Sequence, residues 1–183
     1  MELLTRKIAE TLKVLRKQRG WSLDKASQNT GVSKAMLGQI ERRESSPTIA
    51  TLWKIATGFE TSFSSFIEDP ITTPLSTTND KVLQQIHPQD DKISVLTIFP
   101  YDALLKFEVF IIELAPDCEH LSPAHQNNLI EHVIVTEGSM EVLFDGQWKP
   151  LTQHQGLYFR ANQPHGYRNT SNTKVIFHNI IHY

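Results

Sequence analysis

The chain has 183 residues, of which 39% are hydrophobic and 21% charged, and its formal net charge is −2. This composition is ordinary for a soluble globular protein, and the length allows one large domain or two small ones. A single cysteine, Cys118, excludes an internal disulfide and favours a reducing compartment. MELLTRKIAE lacks the long apolar core of a signal peptide, and no apolar run approaches the ~20 residues that span a bilayer. We therefore expect a cytoplasmic protein that has no membrane partner.

Charge is divided unevenly along the chain. Residues 1–67 contain eleven Lys and Arg against six Asp and Glu. Residues 68–183 contain seven against fourteen, together with all eight histidines. A basic first part and an acidic, histidine-bearing second part predict two modules with different partners.

The basic part begins with two predicted helices. Apolar residues at helical spacing predict the first helix over residues 5–19, and Gly20 ends it. The Lys and Arg side chains of this helix lie on the face opposite its apolar residues. Ser22 is a favourable N-cap for the second helix, which ends near Asn29.

The segment TGVSKAMLGQIERRES predicts a tight bend followed by a third helix. Gly31 supplies the bend and Ser33 the N-cap, while Val32 and Leu37 have the spacing of a hydrophobic staple. Leu37 and Ile40 are expected to face the core. The positions left on or near the outer face are Lys34, Ala35, Gly38, Gln39 and Arg42.

A fourth helix is predicted to open at Ser46 and Pro47, with Pro47 at the first helical position, where proline is favoured. Its expected packing residues are Leu52, Trp53, Ile55 and Ala56. Two short helices joined by a glycine-containing turn, within a basic helical segment, predict an all-α helix-turn-helix domain over residues 1–67.

In a helix-turn-helix, the second helix of the motif enters the major groove and presents its N-terminal residues to base edges. Lys34 is suited to guanine O6 and N7 or to a phosphate, and Gln39 is suited to adenine N6 and N7. Ser33, at the helix N-terminus, is suited to a phosphate oxygen. These three residues are the predicted contacts to double-stranded operator DNA, with Arg42, on the same outer face, as a further candidate. The alternative is a helical bundle whose basic face binds another protein.

The stretch GWSLDKASQNTGVSKAMLGQIERRESSPTIATLWKIA resembles the phage-repressor-like (XRE-type) helix-turn-helix family, and the match covers residues 5–67. The resemblance implies base contacts from Lys34, Ala35 and Gln39. It also implies an ion pair between Arg16 and Glu41 that locks the first helix to the recognition helix. Leu23 departs from the family pattern, because many members carry a DNA-contacting glutamine there.

The second part of the chain has a β-type pattern. Residues 68–91 are predicted to form a polar, proline-containing linker. From Ile93 onward, short β-type runs are separated by turn signals, of which Asp145-Gly146 is typical of a hairpin. The runs are ISVLTIF, FEVFIIEL, HVIVT, MEVLF, LYFR and KVIFHNII. We therefore predict an all-β sandwich or small barrel over residues 92–183.

Two motifs in residues 92–183 resemble those of the cupin family, and the resemblance implies a double-sheet jelly-roll barrel. The residues that carry the first motif are His125, Asn127, Glu131 and Gly138. The second motif is GLYFRANQPHGYRN, and its characteristic residues are Gly156, His165 and Asn169.

The cupin resemblance implies a metal site with His125, Glu131 and His165 as ligands, in which Asn127 stands where cupins carry a second histidine. Two imidazoles and one carboxylate are enough to hold a divalent metal such as iron(II) and leave open positions. The alternative is a metal-free pocket in which the same residues hydrogen-bond an organic effector. Arg160, if it points inward, suits a carboxylate or phosphate group of that effector.

Other histidines and aromatic residues have less specific patterns. His132 is expected on the strand face opposite Glu131, because successive side chains of a strand alternate. We expect the following histidines to be surface or strand residues: His120, His154, His178 and His182. Four residues either line the pocket or belong to the core: Tyr158, Phe159, Tyr167 and Arg168. Cys118 is expected to be chemically inert, since its acidic neighbours disfavour the thiolate.

The order of helix-turn-helix, linker and cupin resembles a class of one-component bacterial transcription regulators. The resemblance implies a homodimer held through the barrels, operator DNA as a partner, and a small-molecule effector in the barrel. No enzymatic activity is expected from this reading. The alternative is a mononuclear-metal oxygenase or epoxidase that carries a helix-turn-helix domain.

Overall fold

The computed structural model describes residues 2–67, 92–125 and 129–183. Two compact units, Met1–Asp69 and Pro70–Tyr183, divide the chain, and each is described by itself. The predicted linker at 68–91 and Asn127 lie outside the described residues, so the domain boundaries at 67 and 92 stay predictions. Within the described ranges, no helix combines the length and apolar character that crossing a membrane requires.

The first unit is helical. Its elements are α1 (Glu2–Gln18), α2 (Leu23–Thr30), α3 (Lys34–Glu41), α4 (Ile49–Gly58) and a 3₁₀ turn (Ser64–Phe66). The N-cap predictions for α2 and α3 are confirmed, because Ser22 accepts from the Lys25 N–H and Ser33 from the Met36 N–H. Gly31 ends α2 with a φ of 66°, a left-handed conformation that glycine adopts without strain.

The prediction for the start of α4 is wrong by two residues. Thr48, rather than Ser46, is the N-cap, and its hydroxyl accepts from the Thr51 N–H at 3.1 Å. Pro47 is buried and precedes the cap, so it does not occupy the first helical position. The Thr48 hydroxyl accepts a hydrogen bond from a backbone N–H of the first helical turn. A proline at the cap position has no side-chain acceptor, so it would leave this N–H unpaired.

A continuous apolar core holds the four helices together. Its fully buried side chains come from every helix and from the chain that follows α4, and they include Leu12, Leu37, Ile40, Leu52, Ile55, Phe59, Phe63 and Phe66. Two of these residues belong to α3, so one face of this helix is fixed in the core while the other remains exposed. Burial of a large apolar side chain contributes about 1.5–3 kcal/mol.

The second unit consists of β-strands. They are β1 (Ile93–Asp102), β2 (Phe107–Leu114), β3 (Cys118–Ser122), β4 (Ile130–Glu137), β5 (Ser139–Phe144), β6 (Gln147–Thr152), β7 (Gly156–Arg160), β8 (His165–Asn169) and β9 (Val175–His182). They form a five-stranded sheet in the order β1-β2-β9-β4-β7 and a four-stranded sheet in the order β3-β8-β5-β6. Every pairing is antiparallel. The prediction of an all-β second domain is confirmed.

The predicted hairpin between β5 and β6 is present. Phe144 pairs with Gln147, and the two residues between them, Asp145 and Gly146, have φ values of 50° and 71°. Two positive φ values are typical of the tight turn that Asp-Gly favours. Three strands are not among the six predicted runs. One is β6, which follows the predicted hairpin turn, and the others are β3 and β8, five-residue strands that consist largely of polar residues.

Burial alternates along the strands and defines an inner face for each sheet. On the five-stranded sheet, the inner residues of β4 include Glu131, and those of β9 include Asn179. On the four-stranded sheet, the inner residues of β8 are His165, Tyr167 and Asn169. Polar side chains from both sheets therefore meet inside the unit.

Candidate DNA-contacting surface and buried histidine–carboxylate site

The exposed side of α3 carries every residue predicted to contact DNA. These residues are Ser33, Lys34, Ala35, Gln39 and Arg42, and all five are exposed. Both cations of this set, Lys34 and Arg42, have acidic partners within the helical unit. Lys34 Nζ lies 2.8 Å from Asp24 Oδ2, and two nitrogens of Arg42 each lie 2.7 Å from an oxygen of Glu44. Because these pairs are exposed to solvent, they hold the cations only weakly.

Gly38 lies on the buried side of α3, which corrects its predicted place near the outer face. A Cβ at this position would lie 3.1 Å from Arg42 Nη1 and 3.7 Å from Leu23 Cδ1. Leu23, the residue that departs from the family pattern, therefore lies beside the recognition helix. The Leu23 side chain therefore lies where α2 meets α3.

Arg16 and Glu41 form the predicted ion pair between α1 and the end of α3. Arg16 Nε lies 2.5 Å from Glu41 Oε1, and Arg16 Nη2 lies 2.8 Å from Oε2. The third guanidinium nitrogen, Nη1, donates to the Trp21 carbonyl at 3.0 Å. The hydrogen bond to Glu41 raises the pKa of Arg16 above its usual value. The pair fixes the C-terminal end of α3 relative to α1.

The β unit brings together the three residues predicted as metal ligands. His125 Nε2 lies 3.5 Å from Glu131 Oε1, and His165 Nε2 lies 3.3 Å from the same oxygen. All three side chains are buried, and the two imidazole centroids lie 4.9 Å apart. Glu131 belongs to the five-stranded sheet, His165 to the four-stranded sheet, and His125 to the segment between β3 and β4. The site therefore joins both sheets.

The other oxygen of Glu131 is held by two hydrogen bonds. The Tyr167 hydroxyl donates to Oε2, and Asn179 Nδ2 donates to the same atom at 3.0 Å. Burial by itself raises the pKa of a carboxyl group, but hydrogen bonds with His125 and His165 outweigh it and hold the pKa of Glu131 well below its usual value. Glu131 is therefore a carboxylate whose Oε1 faces the two histidines.

His165 is oriented through its second ring nitrogen, Nδ1, which lies 3.0 Å from the Gln163 carbonyl oxygen. An N–H on Nδ1 donates to that carbonyl oxygen. The hydrogen bond to Glu131 then requires a second proton on Nε2, which is the protonated ring, whereas a metal would bind Nε2 of the neutral ring. Burial opposes protonation of this ring, yet the hydrogen bond to Glu131 raises the pKa of His165 above its usual value. The Phe159 ring packs at 5.4 Å between centroids and limits the rotation of the imidazole.

The donor atoms of this site fit a divalent metal. The candidate ligand atoms of His125, Glu131 and His165 lie within 4.8 Å of one another. Donors that share one ion each lie ~2.0–2.2 Å from it, so neighbouring donors are expected at separations like those between Glu131 Oε1 and the two imidazoles. Two neutral imidazoles and one carboxylate also match the chemistry that zinc or iron(II) prefers.

The structure corrects the predicted orientation of Arg160. Its neighbour Phe159 is buried and lies opposite Glu131 in the β4–β7 register, whereas Arg160 lies opposite Ile130 and is exposed. Because adjacent side chains of a strand point to opposite faces, Arg160 points away from the buried site. Asn127 lies outside the described residues, so its place beside the three candidate ligands stays a prediction.

Sequence reasoning missed several polar residues of the interior. His120 and Ser122 are buried on the inner face of β3, where Ser122 Oγ lies 3.2 Å from His120 Nε2. Ser122 is opposite His165 in the β3–β8 register, and His120 is opposite Tyr167. The alternation of Cys118, His120 and Ser122 with exposed residues was the available signal. Because most residues of this segment are polar, the alternation alone did not identify it as a strand.

The other histidines of the described β unit lie away from the buried site. His132 is on the outer face of β4, as predicted, and its ring contacts Tyr158 and His182 with centroids 5.5 Å and 5.2 Å apart. His154 is exposed in a turn, and His178 lies on the outer face of β9. Tyr158 is 72% exposed, so it does not line the interior.

Comparisons with known proteins agree with both units. Residues 12–66 match the model of a helix-turn-helix family, and residues 110–181 match that of the cupin domain. Over 183 residues the chain is 46% identical to the HTH-type transcriptional regulator SutR of Escherichia coli (strain K12), covering 100% of this chain and 98% of SutR.

Two solved structures support the same assignment. An HTH_3 family transcriptional regulator from Vibrio cholerae is similar over 99% of this chain and 97% of its own, with a TM-score of 0.84 and 46% identity. The cupin domain of an XRE family transcriptional regulator from Enterobacter cloacae is similar over 51% of this chain and 98% of its own, with a TM-score of 0.50 and 43% identity. The chain thus belongs to the XRE-type helix-turn-helix transcriptional regulators that carry a C-terminal cupin domain.

Proposed function

We propose that this regulator binds a specific operator as a homodimer and that a small molecule inside the cupin barrel changes its affinity for that operator. The observation that carries the proposal is the exposed face of α3, presented by a helix that the core and the Arg16–Glu41 pair hold in place. A rigid helix positions base-reading side chains more precisely than a loop does.

The proposed roles of the α3 residues follow from their chemistry and position. Lys34 and Gln39 read base edges in the major groove, and Ala35 allows α3 to approach the bases closely. Ser33 already caps α3, and its hydroxyl hydrogen remains suited to donate to a phosphate oxygen. Arg42, at the end of the helix, contacts a phosphate once it leaves Glu44.

A homodimer explains how a short recognition helix gains specificity. Helix-turn-helix dimers place two recognition helices on half-sites ~34–36 Å apart, one turn of DNA. An effector that alters the distance or angle between the two helical units changes the fit to these half-sites. Coupling energies of ~1–3 kcal/mol are typical of such effects and change affinity by ~5–150-fold.

In this proposal the effector binds at the buried site, together with a divalent metal that the protein holds there. His125, Glu131 and His165 would hold the metal, which would supply a positive charge and open coordination positions to a ligand. Asn179 Oδ1 is buried and, among the described residues, has no hydrogen-bond partner. It is suited to accept a hydrogen bond from the effector. The alternative is that the same residues, with Asn127, bind an organic effector without metal.

The operator proposal is tested by selecting duplexes from a randomised pool with the full-length protein and repeating the selection with Gln39→Ala. We expect a palindromic consensus, and a loss of discrimination of about 1–3 kcal/mol at one base position per half-site in the variant. Gln18→Ala, an exposed change in α1, is the matched control. A consensus without two half-sites, or equal loss at every position, would contradict the proposed mode of reading.

The metal proposal is tested by elemental analysis of the purified protein. About one equivalent of zinc, iron, nickel or manganese that disappears in His125→Ala and persists in His154→Ala supports a metal-dependent sensor. His154 is the control because it is an exposed histidine of the same unit. No metal in the natural protein, with uptake by Asn127→His, supports the metal-free effector pocket.

An enzyme remains the second candidate because two histidines and one carboxylate are also the donor set of iron(II) oxygenases. Metal-dependent oxygen consumption in the presence of an organic substrate, abolished by His165→Ala, would favour this candidate. Salt-sensitive, sequence-specific binding to duplex DNA, without such consumption, favours the regulator.

A further inference from the structure

A second polar surface of the helical unit lies where the N-terminal half of α1 meets the segment that follows α3. An open pocket of about 430 Å³ occurs there, and it is lined by Thr5, Arg6, Arg43, Glu44, Ser45 and Ser46. We refer to it as the α1–α3 pocket. None of its residues belongs to the set of DNA contacts described above, although lining residues 43–46 directly follow Arg42 in the chain.

One carboxylate oxygen holds both arginines of this pocket. Arg6 Nε and Arg43 Nη2 each lie 2.9 Å from Glu10 Oε1. The hydrogen bond from Arg6, with the charge of Arg43 as a further cause, lowers the pKa of Glu10 below its usual value. Glu10 is therefore an anion placed between two guanidinium groups that would otherwise repel each other.

The other lining residues are three with hydroxyl groups, Thr5, Ser45 and Ser46, and Glu44, whose carboxylate oxygens each lie 2.7 Å from a nitrogen of Arg42. Thr5 Oγ1 and Ser46 Oγ lie 2.9 Å apart at the wall of the pocket. Guanidinium groups and hydroxyls are the side chains that most often contact DNA phosphates. An arginine also binds a phosphate oxygen with the same geometry that it uses for a carboxylate oxygen. The chemistry of the α1–α3 pocket thus suits a phosphate diester.

The location of the pocket agrees with this ligand. A recognition helix contacts base edges with its N-terminal residues, so its C-terminal end lies toward the wall of the groove, where the phosphates are. Arg43 and Ser45 belong to the segment that leaves α3 at this end. Arg43 adopts a φ of 64°, which turns the chain sharply toward α1.

We propose that the α1–α3 pocket binds a backbone phosphate of duplex DNA and that Glu10 occupies the place of this phosphate in the free protein. The inference rests on the proposed DNA-binding function. DNA must displace the Glu10 carboxylate from Arg6 and Arg43, so Glu10 lowers the affinity for every sequence. Both ion pairs are exposed, with side chains between 49% and 61% accessible, so the exchange requires no unfolding.

The test is a mutant cycle on the full-length protein with a short, mixed-sequence duplex as the probe, titrated at several salt concentrations. Glu10→Gln is expected to tighten binding roughly two- to tenfold, because two exposed ion pairs no longer have to be broken. The slope of log K against log salt should stay close to that of the natural protein, which makes the same phosphate contact once Glu10 is displaced. It should become shallower by about 0.9 in Arg6→Gln/Arg43→Gln, which loses that contact. Glu60→Gln, which adds the same charge to the same unit, should leave this slope unchanged.

The decisive comparison repeats Glu10→Gln in an Arg6→Gln/Arg43→Gln background. If Glu10 acts through these arginines, its replacement there should have no more effect than Glu60→Gln. Equal effects of Glu10→Gln in both backgrounds, or equality of Glu10→Gln and Glu60→Gln in the natural background, would overturn the proposal and leave DNA binding itself intact. If the natural protein binds no duplex at low salt, the proposed function fails and this inference fails with it.

Discussion

Arg16 and Glu41 are 25 residues apart in the sequence and share two parallel hydrogen bonds, of 2.5 Å and 2.8 Å, which join α1 to the end of the recognition helix. Their side chains are only 17% and 9% exposed. Removing one partner leaves the other charge partly buried without compensation. Glu41→Ala is therefore expected to lower the free energy of unfolding of the helical unit by about 1.5–3 kcal/mol.

Urea denaturation followed by the far-ultraviolet helical signal measures this loss, because the α-helices of the described residues all belong to the first unit. Glu10→Ala is the control, since it breaks ion pairs at the surface of the same unit and should cost less. Arg16→Met combined with Glu41→Leu should recover part of the stability. If the double variant loses as much free energy of unfolding as Arg16→Met and Glu41→Leu lose in sum, the two residues are not coupled.

Two helical glycines of the first unit should respond in opposite ways to alanine. At Gly38, the nearest atom to an added Cβ is the end of the flexible, exposed Arg42 side chain at 3.1 Å. Arg42 can move, so Gly38→Ala should stabilise α3 by about 0.5–1 kcal/mol through its better helix propensity. At Gly58, the added Cβ would lie 2.6 Å from the Asn29 carbonyl oxygen and from Thr30 Cα, which are backbone atoms.

Gly58→Ala is therefore expected to destabilise the unit by about 1–3 kcal/mol, because α4 must move away from the end of α2. Thermal unfolding of the two variants beside the natural protein gives the comparison. If both substitutions raise the melting temperature, the close approach of α4 to Asn29 and Thr30 is not a feature of the folded protein.

The position of the α4 cap gives a third prediction. Thr48→Ala removes the hydroxyl that accepts from the Thr51 N–H, and such losses cost about 0.5–2 kcal/mol. Ser46→Ala should cost less, since the Ser46 hydroxyl is exposed and contacts Thr5 rather than the first turn of α4. The same denaturation assay ranks the two variants. If Ser46→Ala loses more free energy of unfolding than Thr48→Ala, then Ser46 is the N-cap of α4.

The fourth prediction concerns the hydrogen bonds behind Glu131. Tyr167→Phe removes the hydroxyl that donates to Glu131 Oε2 but keeps the aromatic ring beside Phe177. If the site holds a metal, loss of such a supporting group should weaken metal affinity ~10–100-fold. Competition with a coloured chelator measures the affinity. Tyr158→Phe, on the exposed side of β7, should leave it unchanged, and equal weakening in both variants would rule out the supporting role.

Much of the helical unit could be predicted from local signals. Ser22, Gly31 and Ser33 each determine a cap or turn through their own side chain or φ angle, so neighbours in sequence are enough to recognise them. The Arg16–Glu41 pair was implied only by family resemblance, because no local rule connects residues so far apart. The predicted start of α4 was wrong because proline occurs just before an N-cap as well as at the first helical position.

The three residues of the buried site could be predicted, but their surroundings could not. The cupin resemblance implied His125, Glu131 and His165, which the fold brings together. The contacts of Tyr167 and Asn179 with Glu131 depend on which strands pair and in what register, and periodicity alone does not define this. The orientation of Arg160 could have been deduced from its position next to Phe159, an apolar residue on the inner face.

The place of β9 in the five-stranded sheet has a consequence for the kinetics of folding. Its neighbours are β2 and β4, so residues 175–182 must pair with residues 107–114 and 130–137 before this sheet is continuous. Such non-local pairing is slow compared with the formation of a small helical bundle. During synthesis, the helical unit can fold while β9 is still being added, and Glu131 then lacks Asn179. A nascent chain would therefore acquire α3 well before it acquires the buried site.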